Sequence, residues 1–415
     1  MNRSITGDGV RQTLFEIQKH LPDLEIIETP TGTQVYDWTV PQEWRVRDAY
    51  IVRPDGKKIC QFKKNNLHLV GYSVPVAATM SLDELTSHLH TLPSQPDATP
   101  YVTSYYQGSW GFCLPDAEKI SLPDGEYEVV VDSELFDGSL TYGELLIPGS
   151  TEKEVLISTY ICHPSMANNE LSGPCVCTFL AKEVEKIKSR KLSYRFVFLP
   201  ETIGSITFLS KNLEHLKDRV IAGFNVSCVG DNRSYSFLPS RKGTTLSDNV
   251  AKHVLNHTDA SYKSYDWSER GSDERQYCAP GIDLPIASIM RTKYGCYSEY
   301  HTSKDDLDKV VTAEGLQGGF DVLLKAINLL ENNCYPEVTV LGEPQLGKRG
   351  LYPTLSNNSN FSAARLTLDV LTWSDGSHSL VDISNKCGAP AWDIYEILKQ
   401  LEDHDLVTLH ENPTK

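Results

Sequence analysis

Residues 159–174 read TYICHPSMANNELSGP. They follow Glu154-Val155-Leu156-Ile157-Ser158, an apolar run of strand type, and precede Cys175–Val184, whose apolar residues recur at helical spacing. A strand ends, a polar loop opens and a helix begins. Loops at the carboxyl ends of buried strands are where open α/β sheets keep their sites. This loop carries His163, Asn168, Asn169 and Glu170. One His and one carboxylate can be half of a metal site or simply a capped loop, and the pair alone does not decide.

Outward from this loop the same texture continues. Strands are expected at Val155–Tyr160, Tyr194–Leu199, Val220–Val229 and Pro285–Met290, and helices at Pro174–Lys188, Ser205–Lys211, Leu246–His257 and Ala313–Glu331. That alternation is an α/β domain with a largely parallel sheet. Residues 44–149 read differently. Short alternating runs at Asp48–Val52, Tyr127–Val131 and Leu140–Ile147 are punctuated by Pro-Asp-Gly and Phe-Asp-Gly turns. This is an antiparallel β module inserted into an α/β domain made of residues 1–43 and 150–335. In the first part, 7–21 is an amphipathic helix with Val10, Leu14, Ile17 and Leu21 on one face. Glu25–Val40 reads as two strands around Thr31-Gly32. Inside the module Ser81–His90 opens like a capped helix. Residues 92–113 form a Pro-, Tyr- and Trp-rich loop suited to pressing aromatic rings into a neighbouring site or onto the module itself.

After Tyr335-Pro336 an extended linker runs through Pro353. Helices at Asn360–Trp373, Ser379–Lys386 and Ala391–Leu401, then a strand at Leu406–Leu409, make a winged-helix pattern over 342–415. Its recognition helix would carry Trp392, Asp393 and Glu396. The unit has ten Asp/Glu against six Lys/Arg, so packing or assembly is expected of it and DNA binding is not.

The whole chain has 415 residues and a formal charge of −16, which argues against a general nucleic-acid or acidic-lipid binder. The ten scattered cysteines form no CxxC pair and read as reduced, buried thiols. The N-terminus lacks the apolar core of a signal peptide and no run reaches membrane-spanning length, so a cytoplasmic protein is expected.

Other strand ends carry further candidates. Leu199-Pro200-Glu201 sends a carboxylate out of an apolar strand, an arrangement that raises a carboxyl pKa and suits a general base, or else caps the next helix. Asp231 follows another apolar strand and is expected in a turn or supporting role. Ser272-Asp273-Glu274-Arg275 is a surface ion-pair cluster or a site for charged substrate termini, with Arg275 for a carboxylate and Asp273 or Glu274 for an amine. His301 lies in YGCYSEYHTSKDDLD with Glu299, Asp305 and Asp306. On the same sheet edge as His163 and Glu201 it becomes a second imidazole ligand.

The order His…Asn-Asn-Glu-x-Ser-Gly…Glu…Ser-Asp…Tyr-His-Thr-x-x-Asp resembles the zinc-dependent aminopeptidases of the phosphorylase/hydrolase-like α/β fold. TYICHPSMANNELSGP, GSDERQYCAPGIDLP, EYHTSKDDLD and EPQLGKRGLYPTLS are similar to an aminopeptidase-like family described as polysaccharide-biosynthesis proteins, with an inserted β domain and a C-terminal winged helix. The resemblance covers nearly the whole chain and implies a three-layer α/β sandwich. It also implies a two-metal site, but Asn169, Thr202 and Ser227 or Cys228 stand where those enzymes carry carboxylates. A single zinc on His163, Glu170 and His301 is the expectation, since two His and one Glu with an open position is a catalytic zinc set. Glu201 would be the general base, with Tyr105, Tyr300, Asp273 and Arg275 on the substrate. The expected substrate is a small peptide or an amide-bearing sugar or metabolite, and the expected assembly is a homo-oligomer without nucleic-acid or membrane partners. A non-catalytic relative that has lost its metal is the second reading, and a winged-helix regulator the third.

Overall fold

The computed structural model describes residues 1–307, 309–351 and 358–414. Asp308 and Tyr352–Ser356, which close two of the motifs quoted above, and the end of the expected linker lie outside them. The chain divides into two compact units, 1–247 with 263–321, and 248–262 with 322–415.

The first unit is built on an eight-stranded mixed sheet. After helix α1 (Asp8–Gln18) and β1 (Glu25–Pro30) the chain leaves this sheet for β2 (Glu43–Val52), β3 (Lys58–Ile59), β4 (Val76–Ser81), the short helix α2 (Leu82–Thr86) and β5 (Glu126–Phe136). It returns in β6 (Ser139–Ile147) and β7 (Glu154–Tyr160). Helix α3 (Ser172–Lys186), β8 (Ser193–Leu199), helix α4 (Ile203–Arg219) and β9 (Val220–Asn225) follow. Then come β10 (Ser236–Leu238), α5 (Leu246–Asn256, which belongs to the second unit from Asp248 on), β11 (Lys263–Ser264), α6 (Glu274–Tyr277) and β12 (Ile286–Met290). The strand order is β1-β6-β8-β7-β9-β12-β10-β11. The central strands β8, β7, β9 and β12 run parallel, so their carboxyl ends share one edge. Strands β7, β8 and β12 are buried along their whole length, as parallel strands covered on both faces must be.

Two expectations about strand partners are corrected. Glu25–Val40 does hold strands on either side of Thr31-Gly32, but they do not pair with each other: β1 pairs antiparallel with β6, while Gln34–Val35 ladders with Trp38–Thr39. The inserted module also ends earlier than residue 149, because β6 bridges β1 and β8 in the main sheet. The module is the four-stranded sheet β3-β2-β5-β4. Its core runs into that of the α/β sheet, with Trp44 and Tyr127 in the same cluster as Leu156, Val197 and Phe208. The helix expected at Ser81–His90 stops at Thr86, since Leu89-His90 pairs with Phe112-Cys113.

The second unit contains the latter part of α7 (Ala313–Asn332), β13 (Tyr335–Val338), α8 (Asn358–Trp373), α9 (Leu380–Cys387), α10 (Ala391–Asp403) and β14 (Val407–His410). Strand β14 pairs antiparallel with β13, so the expected linker begins as a strand and the winged-helix unit starts before residue 342. Helix α9 ends at Gly388 with φ 63°, a left-handed cap that glycine adopts at little cost.

All ten cysteines are free. Cys175 and Cys296 are exposed, against the expectation of burial; one stands on the solvent face of α3 and one in the loop before His301. Among the described residues no helix is long and apolar enough to cross a membrane.

Candidate functional site

The shared carboxyl edge delivers three loops to one cleft of about 360 Å³, lined by Tyr101, Tyr105, Cys162, His163, Glu201, Thr202, Arg275 and His301 among others. The loop after β7 brings His163, the loop after β8 brings Glu201, and the long loop after β12 brings His301. The His163 and His301 ring centroids are 5.3 Å apart. His163 Nε2 lies 3.7 Å from Glu201 Oε2.

Each group is held from behind. After β7 the chain makes a π-helical turn at Ala167–Leu171 that buries Asn168, Asn169 and Glu170 together. Asp305 caps this turn, accepting from the backbone N–H groups of Asn168 and Asn169 at 2.7 and 2.9 Å. Asp231 accepts from Asn168 Nδ2, Thr292 N and Thr292 Oγ1, a supporting position behind the cleft. Gly173 then lets α3 start against the strand ends: a Cβ there would meet Thr159 Oγ1 at 2.4 Å and the Val226 carbonyl oxygen at 2.6 Å.

Glu170 stands behind His163, not beside it. Its Oε2 is 2.9 Å from His163 Nδ1, it is 1% exposed, and it does not line the cleft. The expected ligand therefore occupies the position of an orienting partner, which fixes the ring and leaves Nε2 toward Glu201. Arg3 closes the back of the group, donating from Nε to the His163 carbonyl oxygen at 2.9 Å and lying 3.7 Å from Glu170 Oε1. Among the described residues Cys162, His163 and Glu170 are the group of three potential metal donors within 4.8 Å of one another, and they gather on the Nδ1 side. Burial pushes the Glu170 carboxyl up and the Cys162 thiol to about 11. Burial works against the His163 imidazolium, but Tyr101, Cys162 and Glu170 around it reverse this and raise its pKa.

His301 is set by the loop of the inserted module. Tyr101 N donates to the His301 carbonyl oxygen at 2.8 Å, Ser303 N to Thr99 O at 2.8 Å, and Lys304 pairs with Asp97 at 2.6 Å. The module's aromatic loop thus roofs the cleft of its own chain. The His301 ring stacks on Tyr300 at 3.9 Å and meets the edge of Tyr101 at 5.1 Å. Its Nε2 is buried without a hydrogen-bond partner. Burial, helped by His163, lowers its pKa to about 3, so the imidazole is neutral. Tyr300 supports this ring and does not line the cleft, so it is not placed against a substrate there. Tyr105 does line it, with its hydroxyl 3.1 Å from that of Tyr101.

The turn after β8 is strained. Thr202 has φ 65° and ψ −77°, an outlier for a β-branched residue, and Cys228 and His301 also have positive φ. Such outliers persist where surrounding contacts over-determine them, commonly at functional sites. Here Asp273 Oδ1 accepts from Thr202 N at 2.7 Å and Ser205 Oγ at 2.8 Å, and Glu201 N donates to Cys162 Sγ at 3.2 Å. Asp273 is fully buried and does not reach the cleft, so it does not stand where a substrate amine could meet it. Burial first, and Glu201 second, push its carboxyl up to about 8. Arg275 does line the cleft and donates to Thr202 Oγ1 at 2.6 Å. Sequence reasoning missed Cys162, Arg3 and the cleft residues Ile5 and Trp38; only Cys162, next to His163 in the opening stretch, had a local signal.

A mixed sheet whose parallel edge gathers two imidazoles and a carboxylate, roofed by an inserted β module, defines an aminopeptidase-like α/β protein with a C-terminal winged helix. The structure of a zinc aminopeptidase from Bacillus subtilis has the same fold, with a TM-score of 0.58 at 12% identity over 78% of this chain and 90% of that one. The chain belongs to the family described as domain of unknown function DUF4910, whose model matches residues 1–333, and a winged helix-turn-helix model matches 333–409. A Clostridium acetobutylicum protein named "Putative polysaccharide biosynthesis protein with aminopeptidase-like domain" is 48% identical over 388 residues, 93% of this chain and 88% of its own. The crystal structure of a "putative peptidase" from Clostridium acetobutylicum matches with a TM-score of 0.91 at 45% identity, over 98% of this chain and 93% of that one.

Proposed function

We propose that the chain is a metal-dependent hydrolase of amide bonds, acting on a small peptide or an amide-bearing sugar or metabolite. One observation carries the reading: His301 Nε2 is buried and unpartnered in a ring that shares the cleft with His163 and Glu201. A neutral imidazole nitrogen left without a hydrogen bond is costly unless something binds it.

The donor chemistry fits one divalent ion such as zinc. His163 and His301 would hold it, with Glu201 alongside. It does not fit a pair. Asn169 offers an amide whose Oδ1 already accepts from Tyr160 at 2.8 Å and Cys228 at 3.5 Å, and Thr202 Oγ1 is taken by Arg275. A zinc ion supplies Lewis-acid polarisation of the scissile carbonyl when bound. The chain's own residues do the rest. Glu201, fixed through its backbone to Cys162, takes a proton from water and delivers it to the leaving amine. The Tyr101–Tyr105 hydroxyl pair donates to the developing oxyanion. Glu170 keeps His163 turned toward the cleft.

Metal analysis and turnover of Glu201→Gln test this. The expected result is one tightly held zinc per chain, lost in His163→Ala and His301→Ala. In Glu201→Gln the zinc stays and turnover falls about 100- to 10,000-fold. Full turnover in Glu201→Gln removes the base, and two tightly held ions remove the single-metal site. A wild-type chain that takes up no zinc and cleaves no amide is instead the non-catalytic relative that the lost carboxylates favour.

A further inference from the structure

Arg275 is the exposed end of a buried network. Glu274 Oε1 accepts from Gly271 N, Ser272 N and Tyr294 Oη at 2.9, 2.9 and 2.7 Å, and its Oε2 accepts from Asn225 at 2.9 Å. Asp273 grips the strained Thr202 turn. Ser272, Asp273 and Glu274 are each at most 1% exposed. Together they lock the start of α6 against the turn that carries Glu201. Arg275 is the next residue, and the hydrogen bond from its Nη2 to Thr202 Oγ1 fixes the guanidinium at the cleft wall.

Among the described residues no carboxylate lies within ion-pair distance of Arg275 and no second acceptor meets it, although the chain has 55 acidic residues against 39 basic ones. An arginine oriented through one nitrogen and otherwise unpartnered presents a planar fork of N–H donors, which matches a carboxylate two-on-two. Arg275 lines the same cleft as Glu201, so a carboxylate held on this fork belongs to a molecule that also reaches the proposed base.

We infer that Arg275 forms a carboxylate subsite, so that the cleft takes short peptides or N-acyl amino acids with a free carboxylate. The assignment rests on the hydrolase reading and adds its substrate class. The rings that line the rest of the cleft, Trp38 and Tyr106 in edge contact at 5.6 Å with Tyr105 beyond, receive the apolar part of such a molecule.

N-acetylphenylalanine and N-acetylphenylalaninamide differ only at the carboxylate, so their binding separates this subsite from catalysis. Each is titrated calorimetrically into Glu201→Gln, whose slowed turnover leaves the ligand intact during the titration, and into Glu201→Gln/Arg275→Met. The acid is expected to bind Glu201→Gln at least about tenfold tighter than the amide. Arg275→Met abolishes that preference, and Arg275→Lys, which keeps the charge but not the fork, retains part of it. Equal affinity for acid and amide in protein with Arg275 intact overturns the subsite, as does binding of neither at millimolar concentration. A preserved preference for the acid in a protein that hydrolyses nothing sinks the hydrolase reading and leaves the subsite standing.

Discussion

Asp273 makes the stability of the chain depend on pH in a direction that can be computed. Its carboxyl titrates near 3.8 when free and near 8 in the fold, where it is buried and faces Glu201. Between those values the folded state holds one proton more than the unfolded state. Stability is therefore greatest below about pH 4 as far as this group is concerned, and falls as pH rises toward 8. The ideal slope is about 1.4 kcal/mol per pH unit, or about 4 kcal/mol between pH 5 and pH 8. Water entry and rearrangement around the ionised form reduce that, so about 2–4 kcal/mol is expected. Asp273→Asn removes the titration while its amide oxygen still accepts from Thr202 N and Ser205 Oγ. Urea midpoints of both proteins are measured by tryptophan fluorescence at intervals from pH 5 to 8, with a chelator present. Their difference cancels the titrating groups that do not face Asp273. Asp273→Asn should gain on the wild type steadily as pH rises; parallel curves across the range would refute the burial argument.

Two further expectations concern the opening loop. Glu170→Gln should weaken zinc binding about 10- to 100-fold in a chelator competition, the usual effect of losing a partner that orients a ligand; complete loss of zinc would instead make Glu170 a ligand. Gly173→Ala should destabilise the first unit by about 1–3 kcal/mol, because the new methyl meets backbone oxygen on one side and Thr159 on the other. An unchanged thermal midpoint would mean that α3 shifts freely.

The strand-ends of the sheet were legible because buried parallel strands are continuous apolar runs, and the residues just past them stand out by polarity. His163 and Glu201 were singled out that way and His301 from its stretch of polar and aromatic residues, and the structure brings the three to one cleft; the α/β-plus-winged-helix order was legible too, and the resemblance to aminopeptidase-like proteins agrees with the fold. What failed depended on three-dimensional partners. Leu140–Ile147 alternates like the module's strands, and nothing local says that it pairs with β1 and β8. Glu170 looked like a ligand because sequence spacing does not reveal a π-helical turn, which points it at the far nitrogen of His163. Asp273 looked like a surface charge or a substrate contact because the partners that hold it inside, Thr202 N and Ser205 Oγ, are distant in sequence. Arg3 and Trp38 had no signal, since each is a single residue brought in from the amino-terminal segment, Arg3 behind His163 and Trp38 to the cleft wall.

The joint between Tyr101 and His301 has a consequence for how the molecule comes into being. The nearby contact from Thr99 to Ser303 spans 204 positions of chain. A nascent polypeptide leaving the ribosome holds its roof, its first imidazole and its carboxylate long before the second imidazole exists. Such distant pairings form late and slowly. Fragments that end before residue 301 therefore lack one wall of the cleft however well they fold, and the insertion cannot be swapped like a cassette without unfastening the last piece of the pocket.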